Sequence, residues 1–322
     1  MVLIKYLRIS VTTKCNANCW YCFNEGQPFD YTELKDFEGF KWFINLMVSE
    51  YETAIIRFTG GEPLYNSDIF DLIQIAKDSG VQKVGLTTNG ILIPQYATQL
   101  TVSGIDDFVV HIYQIDNFKL ANMTRIKDFV KVITTQLNQV RFNIVLTKQN
   151  LPYTIELVHY AITNNISLLI LDMLQAGITD SDFERNYCSL DKIHEIISKY
   201  ELVEKVENLN SRIYTNSNSY IKLVEHYFDY KSRCSYCTRD LEYNPFLLTP
   251  NFDISICTHF GKHTFSIKNA VINRNKDELN RIIYSAKQYL SSCNKCFKNV
   301  ILSNKLDDKI IFTNDVMEEY KT

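Results

Sequence analysis

The cysteines are the residues of this sequence best placed to do chemistry. There are nine in 322 residues; eight fall in two groups, and only Cys188 stands alone. Cys15, Cys19 and Cys22 form C-x3-C-x2-C. Three thiolates so close together on one loop can converge on one inorganic centre. In a cubane [4Fe–4S] cluster three ligands leave one iron open to a substrate or cofactor, and a zinc ion held by three cysteines also keeps an open position. Spacing alone leaves both open. The second group is Cys234, Cys237, Cys257, Cys293 and Cys296. At four thiolates per cubane these five would suffice for one such cluster and not for two. A structural zinc built with His259 or His263 is the rival, and C-x-H spacing suits it poorly.

These loops need a scaffold, and the pattern of the chain supplies one. Residues 3–12 are apolar and β-branched and read as a buried strand that ends at the first cysteine loop. Residues 31–49 follow with Phe37, Phe40, Phe43, Ile44 and Met47 at helical spacing. Strands are expected at 54–60, 81–88, 106–113, 140–147 and 166–174, with helices at 69–80, 94–104, 117–137 and 152–165. The helix at 94–104 carries Pro94 at its start and Gly104 after its end. Six β-α steps of this kind imply a parallel sheet with right-handed crossovers, barrel-like or open. In both, chemistry sits at the carboxyl ends of the strands. The cysteine loop, Gly60-Gly61-Glu62-Pro63 and Thr87-Thr88-Asn89-Gly90 fall at the ends of the first three. Beyond about residue 185 the alternation is lost. Residues 186–322 carry the second cysteine group and read as a smaller, metal-stapled domain after a first domain of residues 1–185.

Composition narrows the class. A net charge of −3 argues against a dominant nucleic-acid surface. No apolar run is long enough for a membrane span, and the first residues lack the features of a secretory signal. The expected compartment is the cytoplasm, where thiols stay reduced and clustered cysteines are more often metal ligands than disulfides. Only ten of the 34 basic residues are Arg, few for gripping a polyphosphate.

The motifs resemble those of the radical S-adenosylmethionine (SAM) superfamily. Its signature stands here as Cys15-Asn16-Ala17-Asn18-Cys19-Trp20-Tyr21-Cys22, with the usual aromatic, Tyr21, before the third cysteine. Its second motif is Gly60-Gly61-Glu62-Pro63, one β-α unit later, and Thr88 and Asn89 follow at the end of the third strand. The resemblance implies a partial (β/α)6 barrel and an enzyme. The cluster on Cys15, Cys19 and Cys22 would carry SAM on its open iron. Reductive cleavage would give methionine and a 5′-deoxyadenosyl radical that takes hydrogen from a substrate. Tyr21, Gly60, Gly61, Glu62, Pro63, Thr88 and Asn89 are the implied cofactor contacts. The two glycines are read as letting backbone carbonyls approach the ligand, with the Glu62 carboxylate accepting from the SAM ammonium. An electron donor of flavodoxin or ferredoxin type is implied as a partner.

Within the superfamily the chain is most similar, over roughly residues 7–260, to the GTP-cyclising enzyme of molybdenum-cofactor synthesis. The likeness runs through Leu7-Arg8-Ile9-Ser10-Val11-Thr12, Arg57-Phe58-Thr59, Val140-Arg141-Phe142-Asn143-Ile144-Val145 and Leu171-Asp172-Met173-Leu174. It places Asn143 and the backbone at Leu174 beside the cofactor. His111 stands where a ribose-binding serine is usual, Asp172 where a Glu is usual, and Thr13-Lys14 where an acidic-basic pair is usual. The chain ends Met317-Glu318-Glu319-Tyr320-Lys321-Thr322, without that family's Gly-Gly tail. With few arginines besides, the expected substrate is a small polar metabolite or a peptide, and GTP cyclisation is the alternative. A non-catalytic iron–sulfur or zinc protein is the reading from another class, and the full motif set argues against it.

Cys234-x2-Cys237, Arg239, the Leu248-Thr249-Pro250-Asn251-Phe252-Asp253 segment and Cys257 resemble the auxiliary-cluster region of the cyclases. The late Cys293-x2-Cys296 resembles instead the twitch or SPASM extension. The resemblance implies an auxiliary [4Fe–4S] cluster on Cys257, Cys293, Cys296 and either Cys237 or Cys234. The spare thiol, with Cys234 the candidate, is read as an inert buried cysteine or as a hydrogen-atom donor to a substrate radical. Arg141, Asn143 and Arg239 are candidates for holding a polar substrate or for structural ion pairs.

Overall fold

The structure is a computed structural model and describes residues 3–112, 140–174, 178–208, 211–216, 219–225, 246–256 and 264–292. The chain divides into two units, Met1–Arg141 with Leu241–Lys287, and Phe142–Asp240 with Gln288–Thr322.

In the first unit four parallel strands follow one another in sequence order: β1 (Tyr6–Ser10), β2 (Ile55–Thr59), β3 (Lys83–Thr88) and β4 (Asp107–Ile112). Every residue of β2 is buried, as expected for a parallel strand covered on both faces. Helix α1 (Phe37–Tyr51) links β1 to β2 and buries Phe40, Phe43, Ile44, Met47 and Tyr51, a stripe at helical spacing. Asp36 caps it by accepting from the Gly39 N–H at 2.8 Å. α2 (Ile69–Asp78) buries Ile69, Leu72, Ile73 and Ala76, and α3 (Ile93–Val102) opens on Ile93-Pro94.

The first helix starts at Phe37, not at residue 31. Residues 31–36 are drawn out instead alongside the chain leaving β1. The Thr13 N–H donates to the Thr32 carbonyl, the Leu34 N–H to the Val11 carbonyl, and Thr12 bridges Glu33. Helical spacing begins only at Phe37, and backbone pairing holds the residues before it.

Three strands extend the sheet beyond β1. In the numbering of the whole chain they are β10 (Phe246–Leu248), β11 (Asp253–Ser255) and β12 (Thr264–Ser266). β10 runs parallel to β1 with Leu7 opposite Phe246, β11 runs antiparallel to β10, and β12 runs antiparallel to β11.

The second unit takes β5 (Val140–Val145) from Phe142 on, Val140 and Arg141 counting with the first, and holds α4 (Leu151–Thr163), β6 (Ser167–Leu171), β7 (Val203–Asn208), β8 (Ser211–Thr215) and β9 (Tyr220–Val224). Its strand order is β5-β6-β9-β8-β7, with β9 parallel to β6 and antiparallel to β8. The helix expected at 117–137 lies outside the described residues.

Candidate functional site

The cysteine loop springs from β1. The Val11 N–H donates to the Thr59 carbonyl at 3.0 Å, and the loop then closes on itself through Cys22 N–H to the Cys19 carbonyl at 3.0 Å. Cys15 and Cys22 are exposed and Cys19 is half-buried. Backbone N–H groups of Ala17 and Asn24 donate to the Cys15 and Cys22 sulfurs, each at 3.4 Å. The Asn89 amide donates to Cys15 Sγ at 3.7 Å.

Burial raises all three thiols. Cys19 is pushed up to about 12, by desolvation first and by the neighbouring Cys22 and Cys15 next. Cys15 is raised by burial, then by the charges of Glu62 and Cys22; burial also raises Cys22, with Glu25 adding to it. Three thiols that hinder one another's ionisation suit a cationic centre, which deprotonates its ligands outright. The N–H donors around them favour the thiolate form. Among the described residues no group of three His, Cys, Asp or Glu side chains closes on a single ion. A cubane would take one thiolate on each of three irons, and Cys15, Cys19 and Cys22 are the residues that would hold it.

The Gly-Gly-Glu-Pro segment explains how the loop is held. Gly60 sits at φ 141°, and a Cβ on it would lie 2.4 Å from the Thr12 carbonyl oxygen. A Cβ on Gly61 would lie 2.2 Å from the Lys14 carbonyl oxygen. The glycines therefore let two backbones meet: Gly61 N–H donates to Thr12 O at 2.8 Å and Glu62 N–H to Lys14 O at 2.7 Å. This contact is a reason for the two glycines beyond the one read from sequence, close approach of a ligand.

Glu62 is fully buried. Its carboxylate accepts from Thr88 Oγ1 at 2.6 Å, Asn89 N–H at 2.7 Å and Leu64 N–H at 3.1 Å. Burial pushes this carboxyl up to about 7, against the pull of those three donors. Pro63 opens the short 3-10 turn Pro63–Tyr65. Thr88 Oγ1 in turn accepts from the Gly90 N–H at 3.1 Å, and Asn89 Nδ2 donates to Asn16 Oδ1 at 2.8 Å. The ends of β1, β2 and β3 thus form one connected polar network ending on Cys15.

Tyr21 is buried and meets Trp20 edge-on, ring centroids 5.4 Å apart. His111 is half-buried on β4. Asn143, on β5, and Leu174, past β6, belong to the second unit and are half-buried. Cys188 is buried and its thiol donates to the Ser189 carbonyl. Cys234, Cys237, Cys257, Cys293, Cys296, Arg239, His259 and His263 lie outside the described residues.

Two features escaped the sequence reading. Asn66 is fully buried and donates from Nδ2 to the Val11 carbonyl at 3.0 Å, tying the turn after Pro63 to the strand before the cysteines. Its only local signal was a polar residue before α2. The second is a layer of charge across the strands. Arg57 pairs with Asp107, its Nε donates to the Tyr6 hydroxyl at 3.0 Å, and Arg141 Nη2 reaches Asp107 Oδ2 at 3.0 Å. Arg8 pairs with Glu25. Arg141, a candidate for substrate or ion pair, is in an ion pair.

A cavity of about 160 Å³ lies beside the cysteine loop, lined by Thr13, Gln27, Pro28, Asp30, Pro250 and Asp253 among others. Ligand pockets usually exceed roughly 300 Å³, so it is too small to hold a substrate by itself. No helix among the described residues is long and apolar enough to cross a membrane.

Comparison with known proteins bears on the same segment. The radical SAM superfamily matches residues 9–187. A probable GTP 3′,8-cyclase of Sulfurisphaera tokodaii is 28% identical over 73% of this chain and 77% of its own length. One from Methanococcus aeolicus is 28% identical over 73% and 81%. Among solved structures, Streptococcus suis SuiB bound to precursor peptide SuiA aligns with a TM-score of 0.56 at 19% identity. That alignment covers 81% of this chain, which spans about three-fifths (61%) of SuiB. Native anSMEcpe with bound AdoMet and Kp18Cys peptide aligns with a TM-score of 0.57 at 14% identity, over 98% of this chain and 94% of that one. At such identities the structural likeness speaks for the fold.

Proposed function

Because this chain belongs to the radical SAM superfamily, we propose that it cleaves SAM at the Cys15–Cys19–Cys22 loop and uses the resulting radical in a reaction of the GTP 3′,8-cyclase type. The sequence relatives carry this reading: two cyclases match nearly three-quarters of the chain, at 28% identity each. When bound, a [4Fe–4S] cluster supplies the electron that splits SAM into methionine and a 5′-deoxyadenosyl radical, and an external one-electron donor must restore it. The protein's share is binding and orientation. Cys15, Cys19 and Cys22 hold the cluster. The ends of β2 and β3 form the adjoining cofactor shelf, with Glu62 an acceptor for the SAM ammonium, Thr88 and Asn89 beside it, and Tyr21 packing beneath the loop. His111, Asn143 and Leu174 complete the proposed cofactor contacts. Cys257, Cys293 and Cys296, with Cys237 or Cys234, are the proposed ligands of an auxiliary cluster.

A second reading, a less anionic substrate such as a small polar metabolite or a peptide, draws on one observation. Arg8, Arg57 and Arg141 are all held in ion pairs with carboxylates, so these three are not free to grip a triphosphate. One experiment separates the readings. The anaerobically reconstituted protein is given SAM, dithionite and GTP deuterated at C3′. Deuterium in the 5′-deoxyadenosine supports the cyclase reading. Formation of 5′-deoxyadenosine that never carries deuterium sinks it and leaves the less anionic substrate. The auxiliary cluster predicts about eight irons per chain, falling to about four in Cys296→Ser.

A further inference from the structure

We propose that Asn89 is a positioning residue that sets the reduction potential of the cluster on Cys15, Cys19 and Cys22, through an N–H···S hydrogen bond to Cys15. This rests on the cluster reading above and adds a role that cofactor contact does not include. The orientation of the Asn89 amide is fixed by its partners. Oδ1 accepts from the Ile91 N–H at 3.0 Å, so the NH2 group faces the cysteine loop. There it donates to Asn16 Oδ1 at 2.8 Å and to Cys15 Sγ at 3.7 Å. The main chain is held as firmly: the Asn89 N–H donates to the fully buried Glu62 carboxylate at 2.7 Å, and Gly90 follows at φ 81°.

The origin of this donor distinguishes it. Ala17 and Asn24, which donate to Cys15 and Cys22, lie within the cysteine loop or just after it. Asn89 stands at the end of β3, a different element, anchored through Glu62 to the end of β2. It therefore presents a fixed dipole to one cluster ligand. Adding an electron makes a cluster more negative, and a donor to a ligating sulfur stabilises that state, so hydrogen bonds to the sulfurs raise the potential. The bond is present in both redox states and strengthens as the sulfur gains negative charge, so only that gain shifts the potential; up to about tenfold in the reduction equilibrium is expected, which for one electron is about 59 mV.

The test is a redox titration of the reconstituted protein followed by electron paramagnetic resonance of the reduced cluster, with iron counted in every sample. Asn89→Leu keeps the approximate shape without the donor. Its cluster is expected to become harder to reduce by up to about tenfold. Asn89→Asp keeps the acceptor for Ile91, loses the donor and adds a negative charge when ionised, so its cluster is expected to be harder to reduce than that of Asn89→Leu. Fully loaded variants that titrate like the wild type would overturn the proposal. Failure of both variants to take up iron would also overturn it, marking Asn89 as a holder of the loop only. A wild-type protein that takes up no cubane would remove the underlying reading itself.

Discussion

The ends of β1, β2 and β3 and the layer of charge that runs across the strands from Tyr6 to Arg141 are both polar, and they treat polarity in opposite ways. In the layer, Arg57 and Asp107 are almost wholly buried and bonded to one another, to Tyr6 and to Arg141. Gly85 makes room for this layer: a Cβ there would lie 3.1 Å from the Arg57 guanidinium carbon. At the strand ends the bonding serves to present groups outward. Gly61 and Glu62 grip the backbone before the cysteines, Glu62 grips Thr88 and Asn89, and Cys15 and Cys22 remain exposed. A charged residue inside a barrel is thus no evidence of a substrate site, whereas an ordered loop with exposed thiols calls for a ligand.

The sharpest way to break this contrast is Cys19→Ala. It should abolish release of 5′-deoxyadenosine from SAM and dithionite, measured by chromatography, while the untouched Arg57–Asp107–Arg141 layer leaves the sheet folded. Cleavage that survives would remove the strand ends from the chemistry altogether. Next in size is Asp107→Ala, which leaves Arg57 and Arg141 without their shared carboxylate. Loss of one partner from a buried pair costs about 3–5 kcal/mol, to be read from the urea-unfolding midpoint; a change below about 1 kcal/mol would show the layer to be solvated.

Gly61→Ala drives a methyl group into the Lys14 carbonyl. The expected loss is about 3 kcal/mol, with less iron taken up per chain, since the cysteine loop must shift. An unchanged melting temperature and full iron uptake would show that the two backbones need not meet so closely. The smallest effect is in pH. Burial raises the Glu62 carboxyl from 4.5 to about 7. Between those values the folded protein holds a proton that the unfolded chain has lost. The stability this confers is complete below about pH 4.5 and disappears as pH rises through about 7. Glu62→Gln should flatten that slope, by on the order of 2 kcal/mol between about pH 5 and pH 8. Parallel slopes for the two proteins would place the titration elsewhere.

Much of this was legible in sequence because it is local. The cysteine spacing, the apolar stripe Phe40-Phe43-Ile44-Met47 and the buried runs of β2 and β3 each declare themselves within a few residues. The radical SAM signature was legible for the same reason. What escaped is set by register. Nothing near Gly61 indicates that the carbonyl of Lys14 presses on it. Nothing near Arg57 names Asp107, which reaches it across β3 only because the intervening strand presents Gly85 at that level. Residues 31–36 were read together with the helix that follows them, whose spacing starts only at Phe37, and pairing with residues 11–13 draws them out instead. β10, three residues long, is too short to show any period. The cysteines beyond 230 lie outside the described residues, so the auxiliary cluster stands as a proposal.

The pairing of Leu7 with Phe246 also orders events in time. A nascent chain emerges from its N-terminus and begins to fold before it is complete. β1 finds β2 early, but its other edge has no partner until Phe246–Leu248 has been made. Until then that edge offers unpaired backbone groups to any neighbouring chain. The cysteines nearest the start of the protein thus hang from a strand whose pairing is among the last to be completed.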